Sequence, residues 1–275
     1  MKSPPIALWI WYRGDAFWGF QGQQSLHTIQ GSLQQALYGI GVISAPVGAG
    51  RTDRGVHARM QVVRVRAACG DAADLVAKLT SHLPAGLGVC VARAVARPFH
   101  PQWSSTGKEY RYRLSLSRAR PEWESFTWNP RQDSRIGNRA LRPEKLSELL
   151  ALAIGTRDFI AFHEKSSARR SRTLHRAEVV ETFDGILEIR LRGDAFGRYQ
   201  ARYLVGSAVA AAAGTVAVEQ YLAGLHQAVA FPGVKAPAQG LILWEVAYPA
   251  GIDPFSPQER QEPPNLPREP PFAER

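Results

Sequence analysis

The sequence predicts a mixed α+β protein of two similar halves, with a largely antiparallel sheet and the helices gathered on one face. Three observations carry that class. Strand-like and helix-like segments alternate through the first hundred residues and again through the next hundred and fifty. An Asp184-Gly185 turn sits inside "RAEVVETFDGILEIRLRG", a strong short-range signal for a hairpin and hence for antiparallel pairing. Hydrophobic residues make up 45% of the 275, enough apolar material for a sizeable core. A cleft between the halves is the expected place for an active site.

The elements follow in order. "IALWIWY" (6–12) is an apolar, aromatic run ended by Arg13-Gly14-Asp15, and reads as a buried strand. "TIQGSLQQALYGI" places Ile29, Leu33, Ala36, Leu37 and Ile40 on one helical stripe behind Thr28 as N-cap. "MQVVRVRA" alternates as a half-buried strand, with Arg64 and Arg66 on its exposed face. "AADLVAKLTSHL" is an amphipathic helix closed by Pro84-Ala85-Gly86, and "LGVCVARAV" is the next strand. "KEYRYRLSLS" alternates, with Tyr110 and Tyr112 on one face and Arg111 and Arg113 on the other. "RPEKLSELLALAIG" is a helix with Pro143 in its first turn, Leu146, Leu149, Leu150 and Ala153 inward, and Gly155 as its stop. The hairpin follows, then a small-residue helix in "ARYLVGSAVAAAAG" and a closing strand in "GLILWEVAYP". The resulting division is an N-terminal half over 1–105, a C-terminal half over 106–250, and a Pro- and charge-rich tail over 251–275 expected to be disordered.

Composition narrows the setting. The start of the chain lacks the pattern of a signal peptide, and no apolar segment approaches the roughly 18 to 20 residues of a membrane span. Cys69 and Cys90 have neither metal-ligand spacing nor the numbers of a disulfide framework, which fits a reducing cytoplasm. Lys and Arg total 34 against 24 Asp and Glu, a net charge of +10, and such a balance favours a polyanionic partner such as nucleic acid.

One stretch concentrates chemistry: "GAGRTDRGVHARMQVVRVR" (48–66). A lone acid, Asp53, stands between Arg51 and Arg54 on a glycine-rich turn before a strand. An aspartate there can simply bond its own backbone in the turn. The glycines suggest a phosphate loop, but no Lys-Ser/Thr pair follows. A pairing of His57 with Asp53 imitates part of a hydrolase triad, yet no serine stands in a nucleophile-elbow context. The clustered carboxylates and histidines of a metal site are absent. A carboxylate within about 4 to 6 Å of a cation stays ionised, as nucleophilic or base catalysis by aspartate requires. An acid at the centre of a pure phosphate-binding loop would repel its ligand, so Asp53 reads as a chemical group.

"GRTDRGVHA" (50–58) resembles the signature of the TruA family of tRNA pseudouridine synthases. "IALWIWYRGDAFWGFQGQ", "TIQGSLQQAL", "FHPQWSSTGKEYRYRL", "GTRDFIAF", "AFGRYQARYLVG" and "QGLILWEVAYP" resemble further blocks of that family, in its order. The resemblance implies a pseudouridine synthase fold and the isomerisation of uridine in the anticodon stem-loop of tRNA. It implies no metal or organic cofactor, and a homodimer in the cytoplasm. It makes Asp53 the catalytic nucleophile, without deciding whether the base or the sugar is attacked or a glycal-like intermediate intervenes. Arg51 matches the residue that flips the target base out of the stack, and Tyr110 the one that stacks on the flipped uracil. Arg202 matches the arginine that ion-pairs with the catalytic acid, and a buried arginine needs a partner.

The chain departs from the family pattern at five places. Arg13 replaces an aspartate, Phe20 a tryptophan, Gln102 an arginine and Gln200 a methionine. Arg54 replaces an alanine, either to touch a phosphate or to be solvated. Arg169, Arg170, Arg172 and Arg176 form a basic segment that reads as a phosphate-gripping loop or as a solvated one. The small-residue run "SAVAAAAG" suits a subunit contact or an intramolecular one. Two other functions compete: a catalytically silent RNA-binding protein on the same fold, and a synthase for a different RNA.

Overall fold

The structure is a computed structural model that describes residues 5–67, 72–117, 119–164, 171–182, 185–227 and 233–273. Cys69, Asp184, Arg169 and Arg170 lie outside the described residues. The chain divides into two compact units, one of residues 1–106 with 242–274 and the other of 107–241.

The first unit is built on β1 (Pro5–Tyr12), β3 (His57–Arg66), β4 (Leu87–Ala94) and β9 (Leu241–Ala247), in the order β4-β1-β3-β9. The two-residue β2 (Val47–Gly48) lies off that path on β3. β1 is antiparallel to both neighbours, pairing Pro5 with Arg66 and Ile6 with Ala94. β3 and β9 run parallel, with His57 opposite Ile242. The continuous apolar run of β1 is explained by its place between two strands. All of it except Trp11 is buried, as a strand covered on both faces requires. α1 (Ile29–Gly39) begins where the sequence places it, with Thr28 Oγ1 accepting the Gly31 N–H at 3.2 Å, and α2 (Ala72–Thr80) packs on β4.

The chain after Ala250 differs from the expected disordered tail, and the closing strand leaves the C-terminal half to which sequence order assigned it. Both pack with the first unit. α7 (Pro257–Gln261) opens with a capping box formed by Ser256 and Glu259. Its Arg260 reaches Glu245 at 2.7 Å and Asp253 at 2.8 Å. Phe255 sets its edge on Trp9, and Phe272 on Trp11 beside Ile242 and Trp244. A segment rich in proline and charge is thus pinned by two aromatic anchors and one arginine.

The second unit has the order β5-β8-β7-β6, antiparallel throughout, from β5 (Gly107–Ser115), β6 (Gly155–Arg157), β7 (Arg172–Glu181) and β8 (Ile186–Gly193). The predicted hairpin is β7–β8, with Gly185 at φ 69°. The short α3 (Pro121–Glu124) precedes α4 (Pro143–Ala151), which packs on β7 and on α5 (Gln200–Ala212), and α5 in turn meets α6 (Val218–His226). The small-residue run is an intramolecular contact. Residues 204 to 211 of α5 are all buried, and a Cβ on Gly206 would collide with the Val234 carbonyl. Among the described residues, no helix is long and apolar enough to cross a membrane.

The arginine face of β5 is covered. Glu188 receives Arg111 and Arg113 at 3.2 Å and Arg190 at 2.8 Å, and the Arg113 guanidinium lies 4.9 Å from the centroid of Trp123. Burial pushes the Glu188 carboxyl up, but Arg113, Arg111 and Arg190 outweigh it and hold it below the usual carboxylate range. This contribution is therefore present at neutral pH and is lost only as the medium is acidified through that lowered value. Glu188→Gln is expected to lower the unfolding free energy by about 3 kcal/mol, because it strands buried guanidiniums. Urea titration at neutral pH measures that loss, and the gap from the native chain should narrow in strong acid.

Candidate active site

The loop from Gly48 to Val56 is held by its backbone. Ala49 N–H donates to Val62 O at 2.8 Å, and the Val56 N–H closes a turn on Asp53 O at 3.1 Å, with Gly55 at φ 85°. Neighbouring segments grip it from two sides. Gly55 N–H donates to Gly14 O at 3.2 Å, and Phe20 N–H to Thr52 O at 3.0 Å. Gln61 Nε2 donates to Gly50 O at 2.8 Å, and the Tyr12 hydroxyl meets Thr52 Oγ1 at 2.7 Å. Two glycines make these approaches feasible. A Cβ on Gly14 would collide with the Val56 carbonyl, and one on Gly19, at φ 88°, would stand 3.1 Å from Thr52 O. Asp53 is consequently half-buried on a fixed turn, between exposed Arg51 and Arg54.

The electrostatics follow from that placement. The buried Tyr12 phenol is pushed up to about 12, mainly by burial; its bonds to Thr52 and Gln61 lower it, and the charge of Asp53 adds to the rise. Tyr12 thus remains a neutral hydroxyl under the loop. His57 is fully buried, and its Nδ1 accepts the Gly14 N–H at 2.9 Å. Its ring proton therefore sits on Nε2. The same Nδ1 lies 4.0 Å from Asp15 Oδ1. His57 braces the turn, which accounts for its place in the motif without a hydrolase triad.

In the second unit, Tyr110 is half-exposed on β5 opposite Leu191. Phe196 meets it edge-on, with centroids 4.9 Å apart, so the ring is held upright with part of its surface open. Tyr112, two residues on, is fully buried and donates its hydroxyl to Pro237 O at 2.8 Å, a packing role. Arg202 occupies the first turn of α5, half-buried. Its Nε donates to Ala236 O at 2.7 Å, and Ala236 N–H returns to Arg202 O at 3.1 Å. The guanidinium also lies 5.4 Å from the Tyr199 centroid. Asp53 and Arg51 thus share one loop of the first unit, while Tyr110 and Arg202 belong to the second.

Comparison with known proteins settles the family. A family model described as tRNA pseudouridine synthase matches residues 149–249. The chain is 32% identical over 264 residues to tRNA pseudouridine synthase A of Neisseria meningitidis serogroup C, covering 92% of this chain and 95% of that one. It is 36% identical over 251 residues to the Thermus thermophilus protein of that name, covering 86% and 94%. The chain belongs to the tRNA pseudouridine synthase A family. It is an enzyme of the isomerase class.

Against the usual residues of that family, three of the departures have local explanations. Arg13 forms an ion pair with Asp15 at 2.8 Å. Phe20 is buried with its ring against Gly48. Gln200 is 1% exposed, and its Oε1 accepts the Gly197 N–H at 2.7 Å, tying down the turn into α5. Gln102 is exposed, and nothing in the structure explains it. The basic segment is corrected in part. Arg172 is buried on β7 and is no solvent cation, whereas Arg176 stays exposed on the same strand, paired with Glu178 at 2.7 Å. Phe196, Thr52, Gln61 and the two bracing glycines escape sequence reasoning, because each matters through a partner distant along the chain.

Gly14→Ala tests the clamp. It is expected to cut turnover by roughly 100-fold, the usual consequence of misplacing a reacting group by about an ångström. The β1 and β3 hydrogen bonds should remain, as read by amide exchange.

Proposed function

We propose that this enzyme converts uridine to pseudouridine in the anticodon stem-loop of tRNA, with Asp53 as nucleophile. The observation that carries the reading is 32% identity across 92% of the chain to a protein named tRNA pseudouridine synthase A. The fixed, half-buried placement of Asp53 supports it from the side of the chemistry. The reaction breaks the bond from the ribose C1′ to N1 and forms one from C1′ to C5. A proton leaves C5 and one is gained at N1, so composition and oxidation state are unchanged. Such a step calls for no cofactor. It needs a positioned anion, a held-out base and a platform for that base.

The chain's own residues suit those tasks. Asp53 attacks the base or the sugar, the bond it forms being broken again before the product leaves so that the carboxylate is regenerated, and the resemblance assigns Arg202 as the cation beside that carboxylate. Arg51, exposed on the same loop, takes by resemblance the task of flipping the target base out of the stack. Tyr110, braced by Phe196, offers a ring face on which uracil stacks, worth about 1 to 3 kcal/mol. The net charge of +10 favours a tRNA partner and predicts binding that weakens steeply with salt. We place the enzyme in the cytoplasm, with its tRNA, as a homodimer. Light scattering should return twice the chain mass of 30.3 kDa.

The decisive experiment maps pseudouridine in RNA from a strain lacking the gene, complemented by the native chain or by Asp53→Asn. Loss in the anticodon stem-loop, restored by the native chain only, is expected. The Asp53→Asn protein should bind tRNA within a few-fold of native affinity. Full turnover by Asp53→Asn removes the nucleophile, and loss of pseudouridine from another RNA moves the substrate there.

A further inference from the structure

Arg54 stands where the family usually has alanine, and its guanidinium is stacked on an aromatic ring. Its guanidinium carbon lies 3.6 Å over the centroid of the Trp18 ring. Trp18 is 46% exposed and Arg54 is exposed, so this stack lies on open surface, one residue from Asp53. It rests on rigid supports. Trp18 N–H donates to His27 O at 2.8 Å, and the Phe20 N–H to Thr52 O at 3.0 Å. Between them, Gly19 lies so close that an added Cβ would stand 3.2 Å from the Arg54 nitrogen. The segments carrying the indole and the guanidinium are thus packed backbone against backbone.

Among the described residues, Arg54 forms no ion pair with a carboxylate. Other arginines of the surface do so, Arg13 with Asp15 and Arg135 with Asp133. The indole covers one face of the guanidinium and leaves its in-plane donors to solvent. An arginine held this way loses less freedom when it binds, and its fork fits a phosphate. A phosphate is also the group this place needs, because Asp53 repels the backbone of any RNA brought over it and a neighbouring cation offsets that repulsion.

The geometry points to the Arg54–Trp18 stack as a phosphate-gripping element for the RNA backbone beside the target nucleotide. This assignment rests on the tRNA-modifying reading above and adds to it a contact specific to this chain. Binding of an unmodified tRNA transcript, measured over a range of salt with every variant made on Asp53→Asn to prevent turnover, tests it. Arg54→Ala should weaken binding roughly tenfold at low salt and make the logarithmic salt dependence shallower by about one. Arg54→Lys should keep the salt slope but recover only part of the affinity, lacking the planar fork. Trp18→Leu should also keep the slope, with a smaller loss, and the double variant should bind no worse than Arg54→Ala. An unchanged salt slope for Arg54→Ala overturns the assignment. A loss of affinity at constant slope means a base contact instead, which overturns it equally. The parent reading fails separately, if the chain with Asp53 intact makes no pseudouridine in that transcript.

Discussion

Everything at the candidate site depends on a backbone clamp. The turn carrying Asp53 is fastened through Gly14, Phe20, Gln61 and Thr52, and two of the fastenings work only because glycine lets one backbone lie directly on another. A carboxylate on a free turn would sample many orientations and lose its reactivity to entropy. Here the surrounding chain has already fixed the turn during folding. The fastenings from Gly14, Phe20, Gln61 and Tyr12 are made by main-chain atoms and neutral side chains.

β3 is the organiser of that clamp. His57, Arg59 and Gln61 recur every second residue and are all buried, which would be a liability in a strand without partners. Each instead fastens a different piece of chain. His57 takes the Gly14 turn, Arg59 donates to Arg260 O at 2.7 Å, and Gln61 takes the loop that carries Asp53. Paired polar groups in a low-dielectric interior specify one arrangement more sharply than apolar packing does; of Gln61 it is the amide Nε2 that is paired, while its buried Oε1 has no hydrogen-bond partner among the described residues. A shift of register by one residue would point all three to the opposite face.

Much of this was legible in the sequence, and the parts that were not share a physical cause. α1 and α4 announce themselves through local spacing, with Thr28 capping one and Pro143 opening the other. The buried polarity of Arg113 was half visible, since alternation placed it opposite Tyr112 but could not supply Glu188. The destination of the final strand was invisible, because an apolar run such as "LILWEV" carries no label for its partner. Composition misled for the last residues, where Phe255, Phe272 and Arg260 anchor a stretch whose average character is that of a disordered chain. Around Asp53, the motif identified the acid and its arginines. Phe196 and Gln200 acquire meaning only through Tyr110 and Gly197.

The parallel pairing of His57 with Ile242 has a consequence for biosynthesis. A ribosome delivers β3 early and its β9 neighbour only after the whole second unit has been made. Until then, the His57–Ala58 end of β3 lacks its partner, while Val63 and Arg64 are already paired with β2, and an unpaired strand end invites misassembly. Completion of the first unit is therefore a late event, because β9 is made only after the second unit.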